Sequence, residues 1–306
     1  MPEDLKRVEE ALHAAALAGG KILKEYFRSE KVQAKTKSSY ADLVTNVDIM
    51  SQGVILNILS AELPGVQIVG EEKENEKVSG EAIYLDPLDG TLNYYHGLNQ
   101  FAVSLGYWAG NRPMAGVVYN PVEDELFSAV SGKGAFRNGK AIRVSPAHTL
   151  SQSFLATGWP YDKSQTPAVL RSLERLLFPS QEVRVLGSSA LALCYVAAGI
   201  LEGYWEWGLY PWDIAAGILM VKEAGGRITS PEGNSFHLES GAILATNGYV
   251  HEEMLGYLKK ESKNGEWGMG NKIRRGNWNG RMWLRRGDLG GERAVILGNL
   301  SAFECP

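Results

Sequence analysis

One stretch joins an apolar run to two acids and a Gly-Thr pair: Ala82-Ile83-Tyr84-Leu85-Asp86-Pro87-Leu88-Asp89-Gly90-Thr91. Its apolar half is typical of a buried strand, and the Gly-Thr pair can open a helix. Carboxylates at the end of a strand suit hard cations such as Mg²⁺. Free backbone N–H groups at the start of a helix suit a phosphate. The stretch therefore predicts metal and phosphate chemistry in one short segment, and we expect the rest of the chain to be organised around it.

The composition is that of a large globular protein. Its 306 residues are 44% hydrophobic and 22% charged, which allows a large core in one domain or two lobes. The net charge of −4 gives no general electrostatic reason to expect nucleic acid or an anionic membrane as a partner. The chain shows no signal-peptide pattern at its start and no apolar run of membrane-spanning length. These features predict a cytoplasmic protein.

The sequence gives little support for metal binding, disulfide formation or catalysis by cysteine or histidine. Cys194 and Cys305 have neither metal-ligand spacing nor a disulfide pattern, and Cys194 lies in an apolar run typical of a core. The five histidines are scattered, and core or surface roles explain them better than catalysis. We therefore expect the chemistry to rest on carboxylates.

The segments before the opening stretch predict two helices and a short strand. Residues 3–28 have apolar side chains at three-to-four spacing, which indicates an amphipathic helix. Residues 31–40 are polar and predict a mobile loop. A second helical pattern follows, and either Thr45 or Asn46 is suited to cap it. Residues 66–69 then predict a short buried strand.

After the opening stretch the pattern changes. Residues 101–109, 114–119 and 125–130 predict an antiparallel meander. From Phe154 onward, strands and helices alternate, which indicates a layered α/β lobe. We place the boundary within residues 145–151. This gives an N-terminal α+β lobe of residues 1–147, which carries the metal-binding motifs, and a C-terminal α/β lobe of residues 148–262, which completes the site.

The last segment, residues 263–306, differs from the rest of the chain. It is rich in Gly, Trp and Arg, carries more basic than acidic residues, and shows no helix or strand period. Its composition favours a disordered extension or a non-native segment. The alternative is a basic, Trp-bearing arm that binds RNA or a partner.

Carboxylates collect at the predicted ends of elements. They are Asp42, Asp48, Glu71, Glu72, Asp86, Asp89 and Asp213. Any one of them can be a helix cap or a solvated loop charge; Asp213, at the start of an apolar helix, can be a cap or a ligand on a rigid element. In the same way, Gly187-Ser188-Ser189 can form an anion-binding turn or an ordinary helix cap, of which the cap is favoured.

Together these acids match the needs of phosphate monoester hydrolysis. That reaction needs carboxylates for two cations about 4 Å apart, an oriented water and fixed donors for the phosphate oxygens. Glu71, Asp86, Asp89 and Asp213 supply the carboxylates. Thr91 can orient a water or donate to the phosphate, and Asp48 can accept a proton.

The motifs resemble the three signatures of the inositol monophosphatase family. They are Gly70-Glu71-Glu72, Asp86-Pro87-Leu88-Asp89-Gly90-Thr91 and Trp212-Asp213-Ile214-Ala215-Ala216-Gly217. The stretches 37–48, 116–121 and 132–139 resemble the family too, and the likeness runs in order from about residue 5 to 260. It does not cover the tail. Leu92 departs from the pattern, because many members have a second Thr there, and we expect this departure to have little effect.

The resemblance implies a fold and a chemistry. The fold is a layered α-β-α-β-α sandwich of the inositol monophosphatase/fructose-1,6-bisphosphatase type, in the α/β (α+β) class. The implied activity is that of a Mg²⁺-dependent, lithium-sensitive phosphatase, a phosphoric monoester hydrolase with two or three ions per site. The family is usually homodimeric.

The resemblance also implies roles for single residues. The metal ligands would be Glu71, Asp86, the Leu88 carbonyl, Asp89 and Asp213, with Glu71 also counted as catalytic and Glu72 in support. Asp48 and Thr91 would activate the attacking water, and the Gly90 and Thr91 amides would meet the phosphate. Lys37 would lie on the mobile loop. The substrate hydroxyls would contact Asp89, Gly187, Ser188, Ser189, Glu206 and Asp213.

The predicted substrate is a small phosphorylated polyol, with inositol 1-phosphate the leading candidate. The same motifs would serve fructose 1,6-bisphosphate, histidinol phosphate, NADP or 3′-phosphoadenosine phosphate, because the identity of the alcohol depends on loops. An alternative of another class is a regulatory protein that binds RNA or a transcription complex. The complete set of acids favours catalysis over that alternative.

Overall fold

Two β-sheets and three pairs of helices alternate in the computed structural model, which describes residues 5–72, 78 and 80–259 together with the backbone of residues 273–278, 281–286 and 295–296. The helices are α1 Leu5–Tyr26, α2 Asn46–Glu62, α3 Thr91–Tyr95, α4 Thr166–Leu177, α5 Ser189–Ala197, α6 Pro211–Glu223 and α7 His251–Leu258.

The strands fall into three groups along residues 5–259. A first pair is β1 Ala34–Thr36 and β2 Leu43–Thr45. The seven that follow are β3 Gln67–Gly70, β4 Glu81–Asp89, β5 Ala102–Ala109, β6 Arg112–Asn120, β7 Glu125–Val130, β8 Gly134–Arg137 and β9 Lys140–Ile142. The last five are β10 Phe154–Thr157, β11 Glu182–Val185, β12 Gly203–Trp207, β13 Arg227–Thr229 and β14 Ala242–Thr246.

Each large sheet has its own topology. The seven-stranded sheet has the order β3-β4-β5-β6-β7-β8-β9, with β3 parallel to β4 and every other pair antiparallel. This is the predicted meander. The five-stranded sheet has the order β11-β10-β12-β14-β13, in which β10, β11 and β12 run parallel. The parallel strands are those linked by α4 and α5, as the strand–helix alternation predicted.

Successive side chains on a strand point to opposite faces of the sheet, and this alternation separates the layers. On β4, Ile83 and Leu85 pack in the core under α1 and α2, while Ala82 and Tyr84 pack in the core with α5 and α6. On the five-stranded sheet, Tyr204 faces α5 and α6, whereas its neighbours on the strand face α4 and α7. The result is the predicted α-β-α-β-α order, with α5 and α6 between the two sheets.

Helix α6 lies unusually close to the seven-stranded sheet. A Cβ atom on Gly106 of β5 would come within 2.7 Å of the backbone of Ala215 and Ala216. Only a glycine permits this approach, because any side chain would push the helix away. The contact brings the first turn of α6, with Asp213, toward the end of β4.

The polar segment 31–40 is more ordered than a loop. It contains β1, which pairs with β2 in antiparallel register, Ala34 opposite Thr45 and Thr36 opposite Leu43. The prediction of a loop was wrong for residues 34–36. Strand β1 is held to β2 by backbone hydrogen bonds and is largely exposed itself, so no apolar alternation marks it in the sequence.

Residues 1–260 form one compact unit and residues 261–306 a second. The lobe boundary expected within residues 145–151 lies between the end of β9 and the start of β10. In the second unit the described backbone forms β15 Ile273–Trp278, β16 Arg281–Arg286 and β17 Val295–Ile296, paired antiparallel in that order. No strand period was expected in this segment. The rest of the tail lies outside the described residues, and its predicted disorder or non-native origin stays a prediction.

No helix in the described part of the chain has the length and apolar character needed to cross a membrane.

Candidate active site

A bulge in β4 places the two acids of the opening stretch on one face of the sheet. Asp86 lies opposite Ser104 and Asp89 opposite Ala102, so three steps on β4 match two steps on β5. In a regular strand, residues three apart point to opposite faces. The extra residue reverses this parity. Both carboxylates therefore face the layer of α5 and α6.

Asp213 completes a three-carboxylate cluster. It comes from the first turn of α6, which Gly106 allows to lie against the sheet. One carboxylate oxygen from each of Asp86, Asp89 and Asp213 lies within 4.8 Å of the others. Asp213 is distant in sequence from Asp86 and Asp89, and the fold brings all three into one small volume.

Backbone N–H groups fix each member of this cluster. Leu88 N donates to Asp86 Oδ1 at 2.9 Å, Ala190 N to Asp89 Oδ2 at 3.0 Å, and Tyr210 N to Asp213 Oδ2 at 2.7 Å. Asp213 is the third residue of α6 and bonds back to the residue before the helix, so it combines a capping contact with a place in the cluster. The carboxylates are held in position by the chain itself.

The Gly187-Ser188-Ser189 turn is the cap of α5 and also faces Asp89. Ser188 Oγ accepts a hydrogen bond from Leu191 N at 3.3 Å, which confirms the cap interpretation. The same hydroxyl donates to Asp89 Oδ2, and Ser189 N donates to Asp89 Oδ1 at 3.3 Å. The start of α5 therefore stabilises the Asp89 carboxylate.

Burial and like charge raise the pKa of every acid in the cluster. Burial raises the pKa of Asp89 to about 7, against the opposing hydrogen bonds from Ser188 and Ala190. Burial, and then the nearby charge of Glu71, raise the pKa values of Asp86 and Asp213 well above the usual range. A cation among these oxygens would favour their ionised forms.

The donor set fits a hard divalent cation. It consists of buried carboxylate oxygens, with the Leu88 carbonyl in the same cleft, and contains no sulfur or imidazole. Oxygen ligands of this kind suit Mg²⁺. The residues present therefore suit the metal that the motifs predict.

Lys37 neutralises the outer edge of the cluster. Its Nζ atom lies 2.6 Å from Glu71 Oε1, 2.8 Å from Glu72 Oε1 and 3.7 Å from Asp42 Oδ1. Burial lowers the pKa of Lys37, but the charges of Glu71 and Glu72 outweigh burial and raise it above its usual value. Glu71 lines the same cleft as the three aspartates, with a charge partner already in place.

Thr91 and Asp48 form a hydroxyl–carboxylate pair beside the cluster. Thr91 Oγ1 lies 3.0 Å from Asp48 Oδ1 and 3.0 Å from the Leu88 carbonyl oxygen, two acceptors for its one proton. Thr45 N donates to Asp48 Oδ2 at 2.9 Å, and Thr45 caps α2 as predicted. Burial raises the pKa of Asp48 to about 7, while hydrogen bonds from Thr45 and Thr91 oppose the shift. A carboxylate with such a pKa can accept a proton near neutrality.

Glu206 lies in the same cleft on the side of the five-stranded sheet. It is the fourth residue of β12 and accepts a hydrogen bond from the Tyr204 hydroxyl. Burial raises the pKa of Glu206 to about 7, against that hydrogen bond. The cleft has a volume of about 180 Å³.

The structure brings most predicted site residues to this one cleft. Those that line it are Glu71, Asp86, Leu88, Asp89, Gly90, Thr91, Gly187, Ser188, Ser189, Glu206 and Asp213. Gly90, with φ of +91°, precedes the five-residue helix α3. Asp48, Lys37 and Glu72 lie behind the lining and touch it through Thr91 and Glu71. Leu92, at the departure from the motif, lines the cleft with 42% of its surface exposed.

Sequence reasoning missed one wall of the cleft. Its residues include Trp159, Tyr161, Lys163, Val185 and Leu186. They carry no motif. One signal was available: they follow the carboxyl ends of the parallel strands β10 and β11, where α/β sheets place their ligands.

The family model that matches this chain is that of the inositol monophosphatase family, over residues 4–263. The match covers both sheets and ends where the sequence changes character.

Relatives and solved structures give the same result. "Nus factor SuhB" of Haemophilus influenzae is 39% identical over 252 residues, which are 81% of this chain and 94% of that protein. "Inositol monophosphatase 2" of Solanum lycopersicum is 38% identical over 262 residues, or 83% of this chain and 98% of that protein. The structure of inositol monophosphatase from Anabaena (Nostoc) sp. PCC 7120 superposes with a TM-score of 0.76 at 37% identity, covering 83% of this chain and 96% of that one.

Proposed function

The chain belongs to the inositol monophosphatase family, and from that premise we propose that it is a Mg²⁺-dependent phosphomonoesterase that hydrolyses inositol 1-phosphate. One observation carries the proposal. Three carboxylates from two distant segments, β4 and α6, converge within 4.8 Å, beside the Thr91–Asp48 pair. Family membership supports phosphatase chemistry with a divalent metal. The identity of the esterified alcohol, inositol, is the finer part of the proposal.

The protein's own groups would prepare the water and the phosphate. Thr91 Oγ1 accepts a hydrogen bond from the attacking water and passes its own proton toward Asp48. The amides of Gly90 and Thr91 donate to phosphate oxygens. A bond forms from the water oxygen to phosphorus and the bond from phosphorus to the ester oxygen breaks. One proton of the attacking water passes through Thr91 to Asp48, and the departing alkoxide takes its proton from solvent water.

Mg²⁺ would be held by Glu71, Asp86, the Leu88 carbonyl, Asp89 and Asp213, with Glu72 in support through Lys37. When bound, the ions supply charge neutralisation for the phosphate and the departing alkoxide and lower the pKa of water. The raised pKa values of the cluster support this assignment, because cations would remove the repulsion among the acids.

The substrate hydroxyls would meet the acid cluster and the polar groups beside it. We assign them to Asp89, Asp213, Glu206 and the Gly187-Ser188-Ser189 turn. Glu206 supports this assignment because its carboxylate lines the cleft and has one oxygen engaged by Tyr204. Fructose 1,6-bisphosphate, histidinol phosphate, NADP and 3′-phosphoadenosine phosphate are the competing substrates, because the acid cluster would treat their phosphates alike.

A panel of phosphate esters tests the proposal. Mg²⁺-dependent phosphate release should be fastest with inositol 1-phosphate and should be inhibited by lithium. Asp89→Asn is the matched inactive control, since it keeps the shape of the side chain and removes a charge. Near-normal turnover by Asp89→Asn, or no Mg²⁺-dependent release from any ester, would overturn the proposal.

The second candidate function is regulatory binding of RNA or a transcription complex. It is favoured by one observation, the 39% identical relative named Nus factor SuhB. RNA retention that falls steeply with salt, and that disappears when residues 263–306 are deleted, would support a role for the basic tail. Retention unchanged by the deletion would refute the tail's role.

The homodimer and the cytoplasmic location belong to the same proposal. Sedimentation equilibrium of the full chain should give twice the mass of 33.5 kDa. A monomer at micromolar concentration would contradict the dimer.

A further inference from the structure

The segment Gly158–Lys163, which follows β10, presents two large aromatic rings to the cleft. Trp159 and Tyr161 both line the cleft and have 37% and 39% of their surface exposed. We call these two side chains the aromatic wall. A large ring left exposed in a cleft lacks the stabilisation that burial would give it. A ligand that covers the ring would therefore gain that free energy on binding.

The backbone is packed on both sides of Trp159. Thr157 Oγ1 donates to the Trp205 carbonyl oxygen at 2.7 Å, and a Cβ on Gly158 would overlap the Glu206 carboxylate. Pro160 is buried against Gly208, where an added Cβ would lie 2.9 Å from Pro160 Cβ. Pro160, between the two rings, therefore anchors the backbone from which both rings extend.

Tyr161 lines the same cleft as Asp86, Asp89 and Asp213. Burial, and then the charges of Asp213 and Glu71, raise the pKa of Tyr161 well above its usual value, as expected for a phenol that shares a cleft with these acids. The ring therefore borders the space that a substrate held at the acid cluster would occupy.

Polar groups line the cleft beside the aromatic wall. Glu206, Ser188 and Ser189 offer carboxylate and hydroxyl groups to the same space. The cleft therefore presents both hydrogen-bonding groups and ring surfaces to a ligand. A cyclic polyol has the same division, because hydroxyls surround its edge and C–H groups cover its faces.

We propose that Trp159 and Tyr161 select the leaving alcohol by packing against the C–H face of a ring, so that phosphate esters of cyclic polyols are preferred to those of acyclic ones. The proposal rests on the phosphatase function proposed above and adds its selectivity. It assigns these residues a role in specificity, separate from the acids that act on the phosphate.

Steady-state kinetics with two esters tests the aromatic wall. The esters are myo-inositol 1-phosphate and glycerol 2-phosphate, each with Mg²⁺, and the variants are Trp159→Ala, Tyr161→Ala and Tyr161→Phe. We expect Trp159→Ala and Tyr161→Ala to lower kcat/KM for inositol 1-phosphate by about tenfold, mainly through KM, because ring contacts of this kind have that size. Glycerol 2-phosphate should change by less than about twofold.

Two controls separate packing from folding and from the hydroxyl. Tyr161→Phe keeps the ring and should retain the preference for inositol 1-phosphate. Tyr249→Ala removes an aromatic ring that is 56% exposed and contacts His148 outside the cleft, and it should leave both esters unchanged. If the Trp159→Ala variant has a lower Tm than the unaltered protein, the Trp159→Leu variant is assayed in its place.

The outcomes distinguish the two proposals. Equal losses on both esters, unchanged kinetics in both alanine variants, or loss of the preference in Tyr161→Phe would each overturn the role of the aromatic wall. Hydrolysis of neither ester by the unaltered protein would overturn the phosphatase proposal and the selectivity with it.

Discussion

The two ends of the cleft are constructed differently. At the acid end, Asp86, Asp89 and Asp213 are held by backbone N–H groups at the ends of regular elements. At the alcohol end, Trp159 and Tyr161 stand on a connecting segment and remain partly exposed. On the proposals above, short motifs on regular elements would fix the reaction, while a connecting segment without a motif would fix which alcohol is accepted.

The ends also differ in energy. The acid end holds like charges in a buried space, so it lowers the stability of the fold unless protons or cations neutralise it. The alcohol end carries few charges, so substitutions there should change the stability of the fold little. Substitutions at the acid end should therefore affect every ester alike, and those at the alcohol end should discriminate among esters.

Asp86→Asn should have the largest effect. Asn keeps an oxygen for the Leu88 N–H and removes one charge from the cluster, so kcat/KM should fall about 10³-fold, or about 4 kcal/mol, by the same factor for inositol 1-phosphate and p-nitrophenyl phosphate. Asp124→Asn, at an exposed turn, is the control and should stay within about twofold. A loss confined to one ester would contradict the assignment of Asp86 to the acid end.

Thr91→Ala should come next. It removes the hydroxyl that links Asp48 to the proposed water, and we expect about a 10²-fold loss in kcat on every ester. Thr91→Ser keeps the hydroxyl and should recover most of the rate. Equal rates in the Ala and Ser variants would remove the hydroxyl from the proposed chemistry.

The acid end should make the stability of the metal-free protein depend on pH. The pKa values of Asp48 and Asp89 are raised to about 7 in the folded chain, so the folded state binds protons more tightly than the unfolded one. Their stabilising contribution is present below about pH 4 and is lost as the pH rises through about 7. The Tm should therefore rise by several degrees from about pH 7.5 to about pH 5.5.

Calorimetry with and without Mg²⁺ checks this pH dependence. Mg²⁺ should raise the Tm most at the higher pH, where the acids are ionised, and should flatten the curve. Asp48→Asn should reduce the slope. A Tm that falls with decreasing pH across this range would contradict the electrostatic description of the acid end.

Glu206→Gln should have the smallest effect, and an ester-dependent one. Gln keeps the acceptor for Tyr204 and removes the charge, so kcat/KM for inositol 1-phosphate should fall about tenfold. p-Nitrophenyl phosphate, which has no hydroxyls, should change by less than about twofold. The same loss on both esters would place Glu206 at the acid end instead.

Much of the acid end could be predicted because its residues occur in short local motifs. Asp86, Asp89 and Thr91 share one stretch, and Glu71 and Asp213 sit at predicted element ends. These patterns also identified the family and the layer order, both now confirmed. Which oxygens converge depends on tertiary packing, such as the approach of α6 over Gly106, and no local pattern contains that information.

The misses have physical reasons too. Strand β1 is short, polar and held by backbone bonds, so it lacks the apolar alternation that marks a strand. The residue types of the aromatic wall do not by themselves indicate a site, since Trp and Tyr are commonly packed in protein cores. The bulge left a trace, however: Pro87 lies within β4, and prolines inside inner strands are characteristic of bulges.

Because of that bulge, the positions of the two acids depend on the number of residues between them as well as on the identity of those residues. If β4 were regular with the same number of residues, Asp89 would point through the sheet toward the apolar layer under α1 and α2. Deleting Pro87 or Leu88 would keep both acids on one face but would change the spacing between them, so an insertion–deletion scan should find this segment intolerant of changes in length. A designer who grafts the site onto another sheet must carry the irregularity along with the acids.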